Sequence, residues 1–372
     1  MLYLQNASFG QEGFNTHLMS YTFAVSLSNF LDRDFFFDYE IPCSTPPDYA
    51  SKDEYKDKFG VLLTAKRSLV TDLVKIPNRR VFEIDREVSN KAAYQMLYSY
   101  FATTAAMREK FEGTFVWDAF GIGRFSLTRE DLQKYDLIEW THAKTTSPAV
   151  FYFLPRAEKQ ALLDSVKIRF TDEIERLAAK IIADAGAYNA VHLRLGDFLT
   201  NYAADEYSVN LDRFTKYIRA TFFDDSLPIM VATDGLQEKE LFTKMFAGYE
   251  LIFIDELIFD EYRDEYNALE FTDFNVVTIL NELICGAADM FIGTYRSTFT
   301  GIIHRIRQER HSKTDFNYFP DEKVARLLND EMTLAPDRMG FFDWNRYSVM
   351  SGGHLDISWM REWDHSRTMI DV

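Results

Sequence analysis

The chain has 372 residues, and its 41 Lys and Arg against 58 Asp and Glu give a formal charge of −17. This acidic balance excludes a general nucleic-acid binder and a polybasic membrane-surface protein, because both need a surplus of Lys and Arg. Hydrophobic residues make up 47% of the chain, which excludes a disordered protein. The length indicates two domains, since single hydrophobic cores rarely exceed roughly 250–300 residues.

The first half of the chain begins with alternating strand and helix signals. Apolar runs and helical spacing predict, in chain order, a strand at residues 2–4, a glycine-containing loop at 9–14, an amphipathic helix at 16–30, a strand at 34–37, a helix at 91–109 and a glycine-bearing turn region at 117–125. No apolar run is long enough to span a bilayer, so no membrane span is expected.

The second half alternates more regularly. It predicts a helix at residues 158–185, a strand at 190–195, a helix at 211–223, a strand at 228–232, a helix at 238–246, a strand at 249–254, a helix at 276–287, a strand at 290–293 and a helix from the cap Ser297 to about residue 309. Strands that alternate with helices predict an α/β fold with parallel sheets. We place a domain boundary near residue 155, which gives domains 1–155 and 156–372.

Two loops have the composition of anion-binding sites. The first, residues 9–15, contains Glu12, Gly13, Phe14 and Asn15 between a predicted strand and a predicted helix. Glycines allow close approach of the backbone to a ligand, and a helix N-terminus presents N–H groups to negative charge. An ordinary tight turn explains this loop equally simply. The spacing GxGxxG is missing, so a dinucleotide fingerprint is not supported.

The second loop, residues 293–300, follows a predicted buried strand and opens a helix. Its Ser297, Thr298 and Phe299 lie at the helix N-terminus, where hydroxyl and N–H groups suit a phosphate. A serine that merely caps its own helix is the alternative for this loop.

His192 and Arg194 alternate with apolar residues at the carboxyl end of a predicted strand, where α/β proteins bind ligands. Arginine can bind a diphosphate through two parallel hydrogen bonds, and Asp197 is placed to orient it. A buried structural cluster of these three residues is the alternative. Charged groups at strand ends favour the functional interpretation.

Two further carboxylates are candidates for contacts with a ligand. Asp234 follows another predicted strand and could accept from a sugar hydroxyl or a base N–H, although Asp-Gly is also a common turn sequence. Glu282 could meet the donor edge of a purine, and a solvated helix carboxylate is its alternative. Arg305, Arg307, Arg310 and His311 are interpreted as cations that complement the dipole at the end of their own helix.

Several common chemistries are not supported by the sequence. The cysteines and histidines show no metal-ligand spacing, so no metal site is predicted. A GxSxG elbow and a phosphate-binding P-loop are both missing, which argues against a serine hydrolase and a Walker-type NTPase.

Taken in order, four segments resemble the motifs of the GDP-fucose O-fucosyltransferase superfamily. They are Gln11 to Asn15, His192 to Phe198, Ala232 to Asp234 and Asp289 to Phe299. The resemblance covers about residues 1–30 and 190–310, and it is closest to the branch with a glutamate in the first loop.

The resemblance implies a GT-B architecture, with two Rossmann-like domains facing across a cleft and no cofactor besides the GDP-fucose substrate. It implies that Arg194 holds the β-phosphate of the leaving group, that His192 touches the ribose or phosphate, and that Glu12 is the general base. It also implies that Ser297, Thr298 and Phe299 line the diphosphate and sugar. The backbone from Gly13 to Asn15 would close from the other domain.

These observations predict an inverting, metal-independent glycosyltransferase that moves fucose from GDP-fucose to a hydroxyl of a glycan or protein acceptor. A transferase that uses another GDP-sugar, or a non-catalytic nucleotide-sugar-binding protein, is the alternative. With two cysteines and no recognisable leader, a cytoplasmic location is expected. A mature fragment of a secretory-pathway enzyme would have the same features.

Overall fold

The structure is a computed structural model that describes residues 2–4, 14–15, 18, 22, 29, 32, 35–37, 68, 70–75, 114–118, 137–141, 167–194, 226–233, 239–294, 297–313 and 317–319. The chain divides into two compact units, each with its own parallel sheet. The domain boundary predicted near residue 155 lies outside the described residues.

The elements up to residue 170 are short. In chain order they are β1 (Leu2–Leu4), β2 (Phe35–Phe37), α1 (Val70–Leu73), β3 (Val74–Lys75), β4 (Thr114–Asp118), β5 (Leu137–Thr141) and β6 (Arg169–Phe170). The first unit holds a four-stranded sheet in the order β2-β1-β5-β4, and β3 pairs with β6 in a separate two-stranded sheet. Tyr3 of β1 pairs with Phe36 on one side and with Glu139 on the other, both in parallel.

The second unit contains the longer elements. In chain order they are α2 (Asp172–Ala185), β7 (Asn189–Leu193), β8 (Ile229–Thr233), α3 (Lys239–Met245), β9 (Leu251–Phe253), α4 (Ile254–Asp260), α5 (Arg263–Asn267), α6 (Phe274–Ala287), β10 (Phe291–Thr294), α7 (Thr298–His311) and β11 (Asn317–Phe319). Its five-stranded sheet has the order β11-β10-β7-β8-β9, and every neighbouring pair is parallel.

The sheet of the second unit is covered on both faces. All residues of β7 and β8 are buried, as expected for a parallel sheet between helices. Val191 and Leu193 pack with Phe242 and Met245 of α3 in one hydrophobic cluster. Because side chains alternate along a strand, His192 points to the opposite face, where α6 and α7 pack.

Cations of α7 and its C-terminal flank hold the end of the neighbouring helix α6. Arg307, which is fully buried, donates to the carbonyl oxygens of Ala288 at 2.6 Å and of Asp289 at 3.2 Å. Lys313 donates to the Ala288 carbonyl at 2.7 Å. The interpretation that Arg307 complements the dipole of its own helix is therefore corrected, because its partners follow α6.

Several predicted boundaries differ from the observed ones. The helix predicted from residue 158 begins only at Asp172, because Arg169 and Phe170 form β6. Trp117 lies in β4, so the turn region predicted at 117–125 is wrong at its start. The helices predicted at 91–109 and 211–223 lie outside the described residues.

The two parallel sheets confirm the predicted α/β class. The GT-B arrangement of two Rossmann-like domains, with a cleft between them, stays a prediction. None of the helices in the described residues combines the length and apolar character needed to cross a bilayer.

Candidate functional site

The carboxyl ends of β10, β7 and β8 lie side by side at one edge of the second sheet. Gly293 and Ala232 are the register partners of His192, one on each neighbouring strand. Since all three strands are parallel, the residues that follow them gather at this edge. Arg194 comes directly after β7 and is half-buried.

Thr294, the last residue of β10, joins the elements that form this edge. Its hydroxyl donates to the carbonyl of His192 at 3.0 Å and accepts the backbone N–H of Arg194 at 2.9 Å. Its carbonyl accepts the backbone N–H of Ser297 at 3.3 Å. The end of β7 and the start of α7 are therefore both tied to one threonine, which the sequence analysis did not single out.

The imidazole of His192 is held between two residues of the first turn of α7. Its Nδ1 lies 2.9 Å from the hydroxyl oxygen of Thr300, and its ring centroid lies 4.3 Å from that of Phe299, with 30° between the ring planes. Burial, and secondarily the positive charge of Arg194, lowers the pKa of His192 to about 3. The ring is therefore neutral at physiological pH, and Arg194 carries the positive charge.

Gly293 allows α7 to approach β10 closely enough for these contacts. A Cβ atom at this position would lie 2.1 Å from Cγ2 of Thr300 and 2.9 Å from its Cβ. Threonine is short and branched, so it cannot bend away as a long side chain would. Any other residue at 293 would push the first turn of α7 away from His192.

The N-terminus of α7 has the features of an anion-binding site. Ser297 occupies the N-cap position in an extended conformation, with φ −89° and ψ 123°, yet its side chain makes no capping hydrogen bond. The residue is fully buried, and its hydroxyl has no hydrogen-bond partner in the part of the chain that the structure describes. A buried hydroxyl normally has a partner, so a ligand is the natural acceptor or donor at this position.

The other predicted site residues have varied placements. Thr298 and Phe299 are half-buried in the first turn of α7. Glu282 is fully buried within α6 and presents no surface in the described structure. Phe14 and Asn15 are helical, buried and part of the first unit. Glu12, Gly13, Asp197 and Asp234 lie outside the described residues.

The site thus combines one arginine, one neutral histidine and an uncapped helix N-terminus at the carboxyl edge of a parallel sheet. Such a set can bind a phosphate-containing anion and stabilise negative charge that develops on it. The described structure brings together His192, Arg194, Ser297 and Phe299 through Thr294 and Thr300.

The model of the GDP-fucose protein O-fucosyltransferase family matches residues 8–310, which include every residue predicted for the site. The chain belongs to this family. The match confirms the resemblance drawn from the motifs and the prediction of a glycosyltransferase-family chain. The roles of the individual site residues in this fucosyltransferase-family chain stay predictions.

Human GDP-fucose protein O-fucosyltransferase 2 is 30% identical to this chain over 161 residues, which are 42% of the chain and 35% of the human protein. The chain therefore matches about a third of that relative's length. A crystal structure of POFUT1 with GDP-fucose covers 86% of this chain and 98% of its own, at 14% identity and a TM-score of 0.45. The crystal structure of the fucosyltransferase NodZ from Bradyrhizobium covers 82% of this chain and 92% of its own, at 12% identity and a TM-score of 0.41. The family assignment rests on the sequence match over residues 8–310.

Proposed function

We propose that the chain transfers fucose from GDP-fucose to a hydroxyl group of a glycan or protein acceptor, with inversion at the anomeric carbon and without a metal ion. Membership of the O-fucosyltransferase family supports the donor and the reaction. The observation that carries the proposal is the placement of Arg194 beside the α7 N-terminus, where the Ser297 hydroxyl is buried without a partner in the described residues.

Arg194 stabilises the leaving group in this mechanism. When the bond between fucose and the β-phosphate breaks, negative charge grows on the departing GDP. A guanidinium and a helix N-terminus supply fixed positive potential to that charge without a cofactor. The backbone N–H of Arg194 donates to the Thr294 hydroxyl at 2.9 Å, and this bond fixes the position of the Arg194 backbone at the end of β7.

The acceptor hydroxyl needs a base on the opposite face of the sugar, because a single displacement inverts the anomeric carbon. We assign this role to Glu12, following the motif of the glutamate-bearing branch. Gly13, Phe14 and Asn15 follow it in the same donor-site loop. Asp197 is assigned to orient Arg194, and Asp234 to a contact with the sugar or the base. Glu282 receives no ligand contact in this proposal, because it is fully buried.

The acceptor class is proposed from the relatives. The human relative is called a protein O-fucosyltransferase, but the chain matches only 35% of its length. We therefore propose a glycan or a protein as the acceptor, and we propose no nucleic-acid partner.

The primary experiment compares two arginines. Purified wild-type chain is incubated with GDP-fucose and an array of glycan and protein acceptors, and transfer and GDP release are measured. Arg194→Ala should lower the rate at least about 100-fold, because a charge-stabilising donor is lost. The matched control is Arg176→Ala, since Arg176 is exposed on α2 and bonds only the carbonyl of Asp172 in the described structure. Transfer by Arg194→Ala at the wild-type rate would refute the mechanism.

Separate measurements test the donor class, the metal dependence and the stereochemistry of transfer. GDP should raise the melting temperature, whereas UDP and NAD should not. EDTA should leave the transfer rate unchanged, and NMR of the first-formed product should show the inverted anomer. Binding of GDP without transfer to any acceptor would instead indicate a non-catalytic nucleotide-sugar-binding protein.

A further inference from the structure

The side chain of Thr300 is fixed by its contacts with Gly293 and His192. Its methyl group occupies the space that a side chain at Gly293 would fill. Its hydroxyl oxygen lies 2.9 Å from Nδ1 of His192. The residue is fully buried, so neither contact is exchanged with solvent.

The direction of the bond between Thr300 and His192 follows from the need of a buried O–H for an acceptor. In the described part of the chain, Nδ1 of His192 is the hydrogen-bond partner of the Thr300 hydroxyl. If Nδ1 carried the ring proton, it would donate to the hydroxyl oxygen, and the hydroxyl proton would have no acceptor among the described residues. A buried group left in that state costs more than the bond gains. The hydroxyl therefore donates, and Nδ1 accepts.

A neutral imidazole has one N–H, so a ring that accepts at Nδ1 carries its proton on Nε2. Burial and the nearby charge of Arg194 lower the pKa of His192 to about 3, which excludes a second ring proton at physiological pH. The stacked ring of Phe299 opposes rotation of the imidazole, at a centroid distance of 4.3 Å. Together these contacts define one tautomer and one ring orientation.

We propose that Thr300 is a positioning residue whose hydroxyl keeps the proton of His192 on Nε2, so that the ring acts as a neutral hydrogen-bond donor to a phosphate or ribose oxygen of the nucleotide. The second half of this inference rests on the proposed function. His192 then adds a directed hydrogen bond without adding charge, and the charge on the leaving group is met by Arg194.

The first experiment reads the ring proton in the protein without any ligand. Long-range ¹H–¹⁵N NMR distinguishes protonated from unprotonated ring nitrogens, and His192→Gln identifies the His192 signals among the seven histidines. The wild-type protein should show the proton on Nε2 at neutral pH. A proton on Nδ1 overturns the proposal, and this reading needs no variant of Thr300.

The second experiment uses a pair of substitutions at Thr300. Thr300→Val keeps the branched shape and removes the donor, whereas Thr300→Ser keeps the donor and removes the methyl group. We expect Thr300→Val to give a mixed or Nδ1-protonated ring and to weaken GDP binding about three- to tenfold, the value of one neutral hydrogen bond. Thr300→Ser should keep the wild-type tautomer and bind GDP within about twofold of wild type.

A matched control and the possible outcomes separate this inference from the proposed function. Thr243→Val removes an exposed hydroxyl that bonds the carbonyl of Lys239 on α3, and it should change neither the tautomer nor GDP binding. Equal GDP affinities for Thr300→Val and Thr300→Ser would overturn the positioning role. If the wild-type protein fails to bind GDP, the proposed function fails, while the NMR experiment still decides the tautomer.

Discussion

The N-terminus of α7 and the C-terminus of α6 lie in the same unit, but their polar groups are satisfied differently. At the end of α6, Arg307 and Lys313 donate to consecutive backbone carbonyls that follow the helix. At the start of α7, the Ser297 hydroxyl has no partner in the described residues. The first end is completed by the chain itself and is structural. The second is the helix end at which we propose that the nucleotide binds.

The largest expected effect comes from a substitution that removes the contacts at the C-terminus of α6. Arg307→Ala removes a fully buried guanidinium that donates to the carbonyl oxygens of Ala288 and Asp289, and hydrogen bonds made by a charged donor are worth about 1.5–3 kcal/mol each. We expect the free energy of unfolding, measured by urea denaturation, to fall by about 3 kcal/mol. Arg176→Ala is the control and should change it by less than about 0.5 kcal/mol, because Arg176 is exposed. A loss below about 1 kcal/mol for Arg307→Ala would contradict the structural role.

The next prediction concerns a second contact of α6, in which Asn281 donates to Asp255 at 2.7 Å. Burial raises the pKa of Asp255 from 3.8 to about 6. Between these two values the folded state holds a proton that the unfolded state has lost, so this group's contribution to stability falls as pH rises from about 4 to about 6. Above that range the buried carboxylate costs up to about 2–3 kcal/mol.

Asp255→Asn cannot ionise and keeps an oxygen to accept from Asn281. We expect the variant to be more stable relative to wild type at pH 7.5 than at pH 4 by about 2 kcal/mol. Urea denaturation of both proteins at the two pH values gives this difference, in which other titrating groups cancel. A stability difference that does not change with pH would show that Asp255 titrates normally.

The smallest effect compares the N-cap residues of α6 and α7. Asp273 accepts from the N–H of Val276, so Asp273→Ala should lower the free energy of unfolding by about 1 kcal/mol. Ser297 makes no capping bond, so Ser297→Ala should change stability by less than about 0.5 kcal/mol. The same Ser297→Ala variant should weaken GDP binding about three- to tenfold by calorimetry. Equal stability losses in the two variants would remove the distinction between a cap and a ligand site.

The sequence predicted the strand ends of this site well and its internal contacts poorly. His192 and Arg194 could be placed because a short apolar strand precedes them, and Ser297 because a helix period begins after it. Thr294 and Thr300 could not, since they bond residues about 100 positions away in the chain. The residues around a threonine in the sequence do not indicate a hydrogen-bond partner so far away in the chain.

The missed elements have a similar cause. Residues 251–259 contain seven apolar residues interrupted by Asp255 and Glu256, and this segment is too short for periodicity to separate β9 from the helix α4 that follows it directly. In α7, Arg307 could be assigned to its own helix end from the sequence. Its actual partners lie 18–21 residues earlier in the chain, and only packing of α7 against α6 brings them together.

Gly293 has a consequence for anyone who wishes to change the proposed donor specificity of this protein. Its missing side chain sets the spacing between β10 and α7, so a library that randomises position 293 would mostly sample displaced helices instead of altered specificities. Thr294 bonds the backbone of Arg194 and Thr300 bonds the ring of His192, so the positions of both site residues depend on this spacing. These three positions, and Phe299 beside the His192 ring, are best kept constant while a half-buried residue such as Thr298 is varied.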